Sequence, residues 1–473
     1  MMTKSVNLVP GQHIHFVGIG GIGLSAIARV LHQQGYFITG SDHRRSAITD
    51  MLIDEGLTVY IGHRPSNIRG AEMLIVTSAV DARNPEIRAA THAGIPVYKR
   101  KDIIADIMEG RTGIAIAGTH GKTTTTAMTT HILRETAQRP CYIIGGILRN
   151  SGKNSGMDTG DAFVIEADEY DNMYHGLRPH IEVITNIEYD HPDFFKSPHD
   201  MVQSFRRFVG LLPDDGLLIV CADDPTAQIF ANNRRIVDLP VATYGIDNPE
   251  ADWHIHDLQY DAQGNMIFRV NYHANELGIV QLQQPGQHNA LNALAALVVA
   301  NSQGVPFEHA AAALQTFQGT GRRLDIRGSV DDVVVIDDYA HHPTAIEATL
   351  HTLRQRYPDA TLWAVWQPHT YTRTQALAER YLDAFEDAHH VLVTDIYAAR
   401  EDPLPGVTSA ALVADIRHPD VQHTPTLRDA TQTLLNRVEP HSVIVIMSAG
   451  DAPLIGVNYL RARRQQSQGN RGA

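Results

Sequence analysis

Apolar residues fall into short unbroken runs, separated by stretches in which they recur every three or four positions. Over the first hundred residues the runs are "IHFVG", "YFITGSD", "LTVYIG", "EMLIVTSA" and "IPVYKR". Between them, "IGLSAIARVLHQQG" and "PEIRAATHAG" carry helical periodicity, and each stops at a glycine. Unbroken apolar strands joined by helical crossovers imply a parallel sheet covered on both faces.

A new β-loop-α unit opens at "TGIAIAG", followed by the buried runs "CYIIGG", "AFVIEAD", "IEVITNIE" and "GLLIVCADD". The texture then changes. "DWHIHDLQYDAQGNMIFRVNYHANELGIVQLQ" alternates, breaks at "AQGN", and predicts antiparallel hairpins. "HNALNALAALVVANSQG" and "PFEHAAAALQTFQG" predict two helices. A third α/β unit begins near Arg323, with strands in "VVVIDDY", "TLWAVWQP", "HVLVTDIY" and "SVIVIMSA". The tail "RARRQQSQGNRGA" is expected to fray. The pattern therefore predicts an α/β chain of three units. Residues 1–109 form a Rossmann-like parallel sheet, 110–322 a central P-loop-type α/β domain with added antiparallel hairpins, and 323–473 a second Rossmann-like domain.

Length agrees with this division, since 473 residues at roughly 150 per domain give about three. A net charge of -14 argues against a nucleic-acid polyanion as the main partner. Cys141 and Cys221 lie far apart in apolar contexts and read as buried thiols. The opening "MMTKSVNLVP" lacks the apolar core of a signal peptide, and no apolar run is long enough to cross a bilayer. The expectation is a cytoplasmic protein without membrane insertion. The 26 histidines show no HExxH spacing.

Two glycine-rich loops carry the candidate chemistry. Gly18, Gly20 and Gly23 in "HFVGIGGIGLSAIA" fit G-x-G-x-x-G between a strand and a helix, and Asp42 ends the next strand, where a ribose-binding acid is expected. Phosphate would sit on the helix N-terminus. A dinucleotide, another diphosphate-bearing nucleotide and an unliganded tight turn all satisfy this spacing.

The second loop, "GTHGKTT", supplies Gly118, Thr119, His120, Gly121, Lys122, Thr123 and Thr124. Its N–H groups suit phosphates, Lys122 suits β/γ oxygens and the Thr123 hydroxyl suits Mg2+. The strict phosphate-loop pattern has glycine where Ile116 stands. Glu166 in "VIEADEYD" and His191 in "TNIEYDHPD" follow apolar strands, at the sheet edge where such folds bind ligands. Taken singly, Glu166 also reads as a solvated acid and His191 as the cap of the next helix.

In this order, "GTHGKTTTT", "EADE", "TNIEYDH", "GQHNALNALAA", "GTGRR" and "DDYAHHP" resemble the Mur ligases, the ATP-dependent ligases that build the peptide of bacterial cell-wall precursors. The likeness covers nearly the whole chain, from "GIGGIG" to "MSAGD". "HFVGIGGIGLSAIA", "DDYAHHPTAI" and "QPHTYTRT" are most similar to the branch that joins L-alanine to UDP-N-acetylmuramate. The resemblance implies that ATP phosphorylates the lactyl carboxylate and that the amine of the amino acid attacks the acyl phosphate. It implies Mg2+ held by Thr123, Glu166 and His191, with Lys122 on the ATP phosphates. It implies Asn289 and Asn292 at the adenine, Arg323 on the transferred phosphate and Asp338 on the ATP ribose, with His341 and His342 beside it. His342, His369 and Arg373 would meet the amino acid. The first loop would hold the UDP diphosphate through Gly18, Gly20, Gly21 and Gly23, with Ser41, Asp42, His63 and Ser78 around it.

On residues alone, Asn289 and Asn292 also fit a cap or a solvent-facing helix surface. The implied partners are the small molecules ATP, UDP-N-acetylmuramate and L-alanine, for a monomer or homodimer. Thr370 stands where many relatives have arginine, and no lysine follows Lys196, so the modified lysine of sister ligases has no counterpart. Three alternatives remain at this stage. One is the recycling ligase that attaches a whole tripeptide to UDP-N-acetylmuramate. The others are a nicotinamide-dependent oxidoreductase and a nucleotide-binding regulator without catalysis.

Overall fold

A computed structural model describes Val6 and residues 8–77, 80–261 and 264–469. Ser78 and the Ala262–Gln263 part of the expected hairpin turn lie outside the described residues. The chain builds three sheets, each from the apolar runs that the pattern singles out.

The first sheet is wholly parallel, in the order Thr58–Ile61, Phe37–Asp42, His13–Val17, Met73–Val76, Val97–Lys99. The order reverses beside His13–Val17, so the loop after that strand opens at the topological switch point. The ten-stranded second sheet is centred on Thr112–Ala117, with Ile181–Ile184 on one side and Ala162–Glu166 on the other, both parallel to it. Its far end is the antiparallel meander Trp253–Tyr260, Met266–Tyr272 and Asn275–Leu282, as the alternation predicts. The third sheet has six strands; Val333–Asp338 pairs Ser442–Met447, which pairs Thr361–Trp366, all in parallel.

Apolar burial is continuous between the first two sheets. Ile27, Leu31 and Ile104 share one core with Ile143, Phe163 and Phe205. Helices Gln287–Ser302 and Phe307–Gln315 cover the opposite face of the second sheet. The third sheet has a core on each face. Fully burying a side chain such as Leu350 or Ile444 contributes about 1.5–3 kcal/mol. Cys141 and Cys221 are both buried free thiols.

Polar edge elements escape the hydrophobic pattern. Lys153–Gly156 and Asp325–Val330 are strands. The expectation of a frayed tail is corrected for residues 461–469, which continue helix Pro453–Gly469, whereas residues 470–473 lie outside the described residues. Ile455, Tyr459 and Leu460 bury one stripe of that helix against the third sheet. Arg463 donates to the Val438 carbonyl at 2.7 Å, and Ser467 donates to Asp331 at 2.8 Å. No helix among the described residues is long and apolar enough to cross a membrane.

Charged pairs join the units. Arg29, buried, donates to Glu55 at 2.5 Å and reaches Asn154 of the second sheet at 2.6 Å. Arg373 donates to Asp190 at 2.7 Å and Arg400 to Asp193 at 2.6 Å.

Candidate active site

Helix Lys122–Glu135 starts where strand Thr112–Ala117 runs out. Gly118 has φ +134, and a Cβ there would lie 2.0 Å from Thr185 Oγ1. Gly121 has φ +83, and a Cβ there would lie 2.4 Å from Asn292 Oδ1. Both positions need glycine because the loop is pressed between the neighbouring strand end and helix Gln287–Ser302. Thr119 and His120 are stitched to the other strand end: Thr119 Oγ1 donates to the Glu188 carbonyl at 2.8 Å, and the His120 amide donates to Asn186 Oδ1 at 2.8 Å. No side chain caps the helix, so the first-turn amides, those of Lys122, Thr123 and Thr124 among them, are left for an anion. Ile116 needs no replacement by glycine. It is still within the strand, fully buried in the core beneath the helix.

Lys122 is held inside this loop. Its ammonium donates to the Gly118 carbonyl, to the Thr119 carbonyl at 3.1 Å and to Glu169 Oε1 at 3.0 Å. Burial works against the charged lysine, but Glu169 outweighs it and raises the pKa. Thr123 Oγ1 donates to Glu166 Oε1 at 3.0 Å, and the Gly145 amide donates to Glu166 Oε2 at 2.6 Å. Burial raises the Glu166 carboxyl, with Lys122 and the Gly145 amide offsetting part of it.

The structure places His191 on Glu169, its Nε2 3.4 Å from Oε1, with Asp190 Oδ2 3.8 Å from the same nitrogen. Burial would lower its pKa, but Asp190 and Glu169 raise it. The cap of the following helix is Ser197, not His191. Glu169 thus links Lys122 to His191. Sequence reasoning passed over it although it closes the quoted "EADE". The usable signal was the acid three residues beyond the strand end, returned to Lys122 by the turn at Tyr170–Gly176.

Asn289 and Asn292 do not face solvent. Both are buried in the first turns of helix Gln287–Ser302, and Asn292 accepts from Thr125 at 3.1 Å. Arg323 approaches Thr123 Oγ1 at 3.5 Å and lies over the Tyr339 ring. Asp338 is occupied by backbone: the Leu324 amide donates to Oδ2 at 2.6 Å and the Ala340 amide to Oδ1 at 2.7 Å. The Leu324 bond, with that of the Arg322 amide to Asp325 Oδ2 at 3.1 Å, pins two residues at φ +44 and +63 where the chain passes from the second sheet to the third.

His341 and His342 part company. His341 lies on the His369 side, with ring centroids 5.8 Å apart. His342, expected at the amino acid with His369 and Arg373, is instead fully buried beside His120 and Glu188. It opens helix Pro343–Arg356, and consecutive residues at a helix entry point in different directions. Arg373 donates to Asp190 Oδ1 at 2.7 Å and approaches His369 Nδ1 at 3.0 Å and His191 Nδ1 at 3.4 Å. Burial and Arg373 push His369 down to about 3.

The first loop is braced from within. The Gly20 amide donates to Asp42 Oδ2 at 2.9 Å, and a Cβ on Gly23 would lie 2.5 Å from Arg100. Gly18 takes φ +85, and Gly21 precedes helix Ile22–Gln33 as its cap. Ser41 is fully buried; it donates to Glu86 at 2.6 Å and meets His63 at 3.0 Å. Burial would raise the Glu86 carboxyl, but His15 at 3.8 Å and hydrogen bonds from Ser41 and Asn67 hold it at about 2.

One cavity of about 1100 Å³ reaches all three units. Gly23 and Arg100 line it from the first, Lys122, Glu166, His191 and Asn289 from the second, and Asp338, His369 and Arg373 from the third. Arg100 donates to Asp168 at 2.8 Å, so the second acid of "EADE" ties the first unit to the nucleotide loop.

Family comparisons follow this division. Residues 13–112 match the model of the Mur ligase family catalytic domain, 116–300 the Mur ligase middle domain, and 322–450 the Mur ligase glutamate ligase domain. The chain is 39% identical to the UDP-N-acetylmuramate–L-alanine ligase of Pelotomaculum thermopropionicum, over 97% of this chain and 99% of that one. The chain belongs to the Mur ligase family. Among solved Mur ligase structures, it resembles the UDP-N-acetylmuramate-alanine ligase of Thermotoga maritima, with a TM-score of 0.80 at 25% identity over 96% of this chain and 99% of that one. It also resembles a murein peptide ligase from Psychrobacter arcticus, with a TM-score of 0.74 at 27% identity over 96% and 98% of the two chains. As in any Mur ligase, the paired nucleotide-type loops of this chain belong to one enzyme rather than to two fused functions.

Proposed function

We infer that this Mur ligase joins L-alanine to the lactyl carboxylate of UDP-N-acetylmuramate, with ATP converted to ADP and phosphate, in cell-wall peptide synthesis. The observation that carries the reading is the single cavity shared by residues of all three units. An acyl-phosphate ligation brings three substrates together, and its rate comes from alignment and charge neutralisation rather than a protein nucleophile.

The phosphates of ATP take the amides of the second loop, and Lys122 turns from Glu169 to them. Arg323, beside Thr123, neutralises the phosphate in transfer. Asn289 and Asn292 are assigned to the adenine and Asp338 to the ribose. Arg373 and His369 stand at the amino-acid side, where a guanidinium fork suits a carboxylate. The first loop, Asp42 and His63 hold the UDP end of the sugar. Thr123 and Glu166 offer a hydroxyl and a carboxylate 3.0 Å apart, a hard oxygen pair that suits Mg2+, with His191 nearby through Glu169. Mg2+ held there would supply charge neutralisation on the ATP phosphates.

Phosphate release from ATP with UDP-N-acetylmuramate tests the reading. L-alanine should support it. Release with the tripeptide L-Ala-γ-D-Glu-meso-diaminopimelate alone would move the function to recycling. Release with neither would return the first loop to a dinucleotide.

A further inference from the structure

His120, Glu188 and His342 form a cluster that the ligation chemistry leaves without a task. His120 Nε2 lies 3.0 Å from Glu188 Oε2, and His342 Nδ1 lies 3.7 Å from the same oxygen. The imidazole centroids are 4.8 Å apart. All three donor atoms fall within 4.8 Å of one another.

The proton inventory points to a missing cation. His342 Nε2 sits 3.3 Å from the Tyr189 carbonyl, which only accepts, so Nε2 carries the hydrogen. In the neutral ring, Nδ1 is then a bare lone pair. It is buried, has no hydrogen-bond donor, and faces a carboxylate oxygen. Two lone pairs opposed at 3.7 Å repel, and a positive charge between them removes the repulsion.

The other groups are already oriented. Glu188 Oε1 accepts from Thr344 at 2.8 Å and from Arg380 at 3.2 Å, which turns Oε2 toward the two imidazoles. The His120 backbone is fixed by Asn186. Outer partners of this kind hold ligands in place at metal sites.

We propose that His120, Glu188 and His342 bind a divalent cation of the zinc class, at a seat separate from Thr123 and Glu166. Two imidazole nitrogens and one carboxylate suit Zn2+, whereas Mg2+ takes oxygen ligands. Tetrahedral bonds of about 2.1 Å set neighbouring ligand atoms about 3.4 Å apart. Separations of 3.0 and 3.7 Å bracket that value, so side-chain adjustment alone closes the site. His120 serves through its Nε2 lone pair in the Nδ1–H tautomer. His120 lies in the nucleotide loop and His342 at the entry to helix Pro343–Arg356, so the cation clamps the third unit onto that loop.

The test is calorimetric titration of Zn2+ into the full chain, with Mg2+ in large excess and no nucleotide. The expected result is one zinc site that weakens at least about tenfold in His342→Ala and in His120→Ala. The variant His390→Ala, which removes an imidazole 2.5 Å from Asp420 at the surface, should bind as before. Anomalous scattering at the zinc edge from soaked wild-type crystals should peak between the three side chains, and this decides the matter should His342→Ala fail to fold. No zinc binding, unchanged affinity in His120→Ala, or a peak elsewhere overturns the proposal.

Discussion

Arg373 Nε lies 2.7 Å from Asp190 Oδ1, across the seam between the second and third units, and both side chains are buried. Arg373 holds Asp190 well below the usual carboxylate range even though burial pulls it upward. Removing one partner strands the other charge, at about 3–5 kcal/mol. Asp190→Ala should therefore melt about 6–20 °C lower, at 2–4 °C per kcal/mol for a unit of this size. Asp190→Ala with Arg373→Met should recover part of the loss. Thermal melts of the four proteins close the cycle, and a double variant whose loss equals the sum of the two single losses would show that the pair is uncoupled.

Lys122→Ala and Glu166→Gln address the nucleotide loop. Each should remain folded by circular dichroism yet lose about 10²–10³ in turnover, the range found when one transition-state donor is removed. Phosphate release under saturating ATP is the measurement. Near-normal turnover in either would break the assignment of this loop to ATP.

Stability should fall in acid, in two stages. Burial, with neighbouring cations, lowers His288 and His342 to about 4 and His369 to about 3, from 6.5. Below pH 6.5 the unfolded chain takes up these protons and the folded chain does not, so stability present above 6.5 drains as pH falls toward 4. Asp337 opposes this, because burial raises it to about 6 and the folded chain gains its proton first. Among these four groups, three protons against one contribute a slope of about 3 kcal/mol per pH unit between 6 and 4. Glu86 and Glu188, each held at about 2, add a second loss below pH 4.5. Urea unfolding across this range should show the slope, and His369→Gln should reduce it by one proton. A flat profile from pH 7 to 5 would contradict the burial of these imidazoles.

Gly121→Ala places a methyl 2.4 Å from Asn292 Oδ1 at φ +83. The loss should exceed about 1 kcal/mol, and ATP affinity should fall with it because the loop shifts. Gly152→Ala, with open space around it at φ +69, carries the backbone cost alone and serves as the reference. Equal melting temperatures for the two would mean that the contact with Asn292 is soft.

The parts of this molecule legible in the sequence are those where one residue's neighbours are local. Ile114, Ile116 and Ala117 announce a buried strand, and Gly118 and Gly121 announce the turn after it, because backbone geometry is a short-range matter. Asp325–Val330 was not legible, since a polar edge strand takes its partner from strand Val333–Asp338 rather than from its own pattern. Glu169 and His342 were hidden for a related reason. The side of the cavity each one reaches depends on a kinked turn or a helix entry that only tertiary packing fixes.

Glu169 lies 2.8 Å from Lys122. Under the proposed function, the lysine's arrival at a phosphate is therefore an exchange of one anion for another. A site that starts neutralised gains less from Coulomb attraction, and is less sensitive to salt, than a bare cation would be. The same carboxylate would then reclaim the lysine as ADP departs, so the loop would carry its own counterion through every cycle.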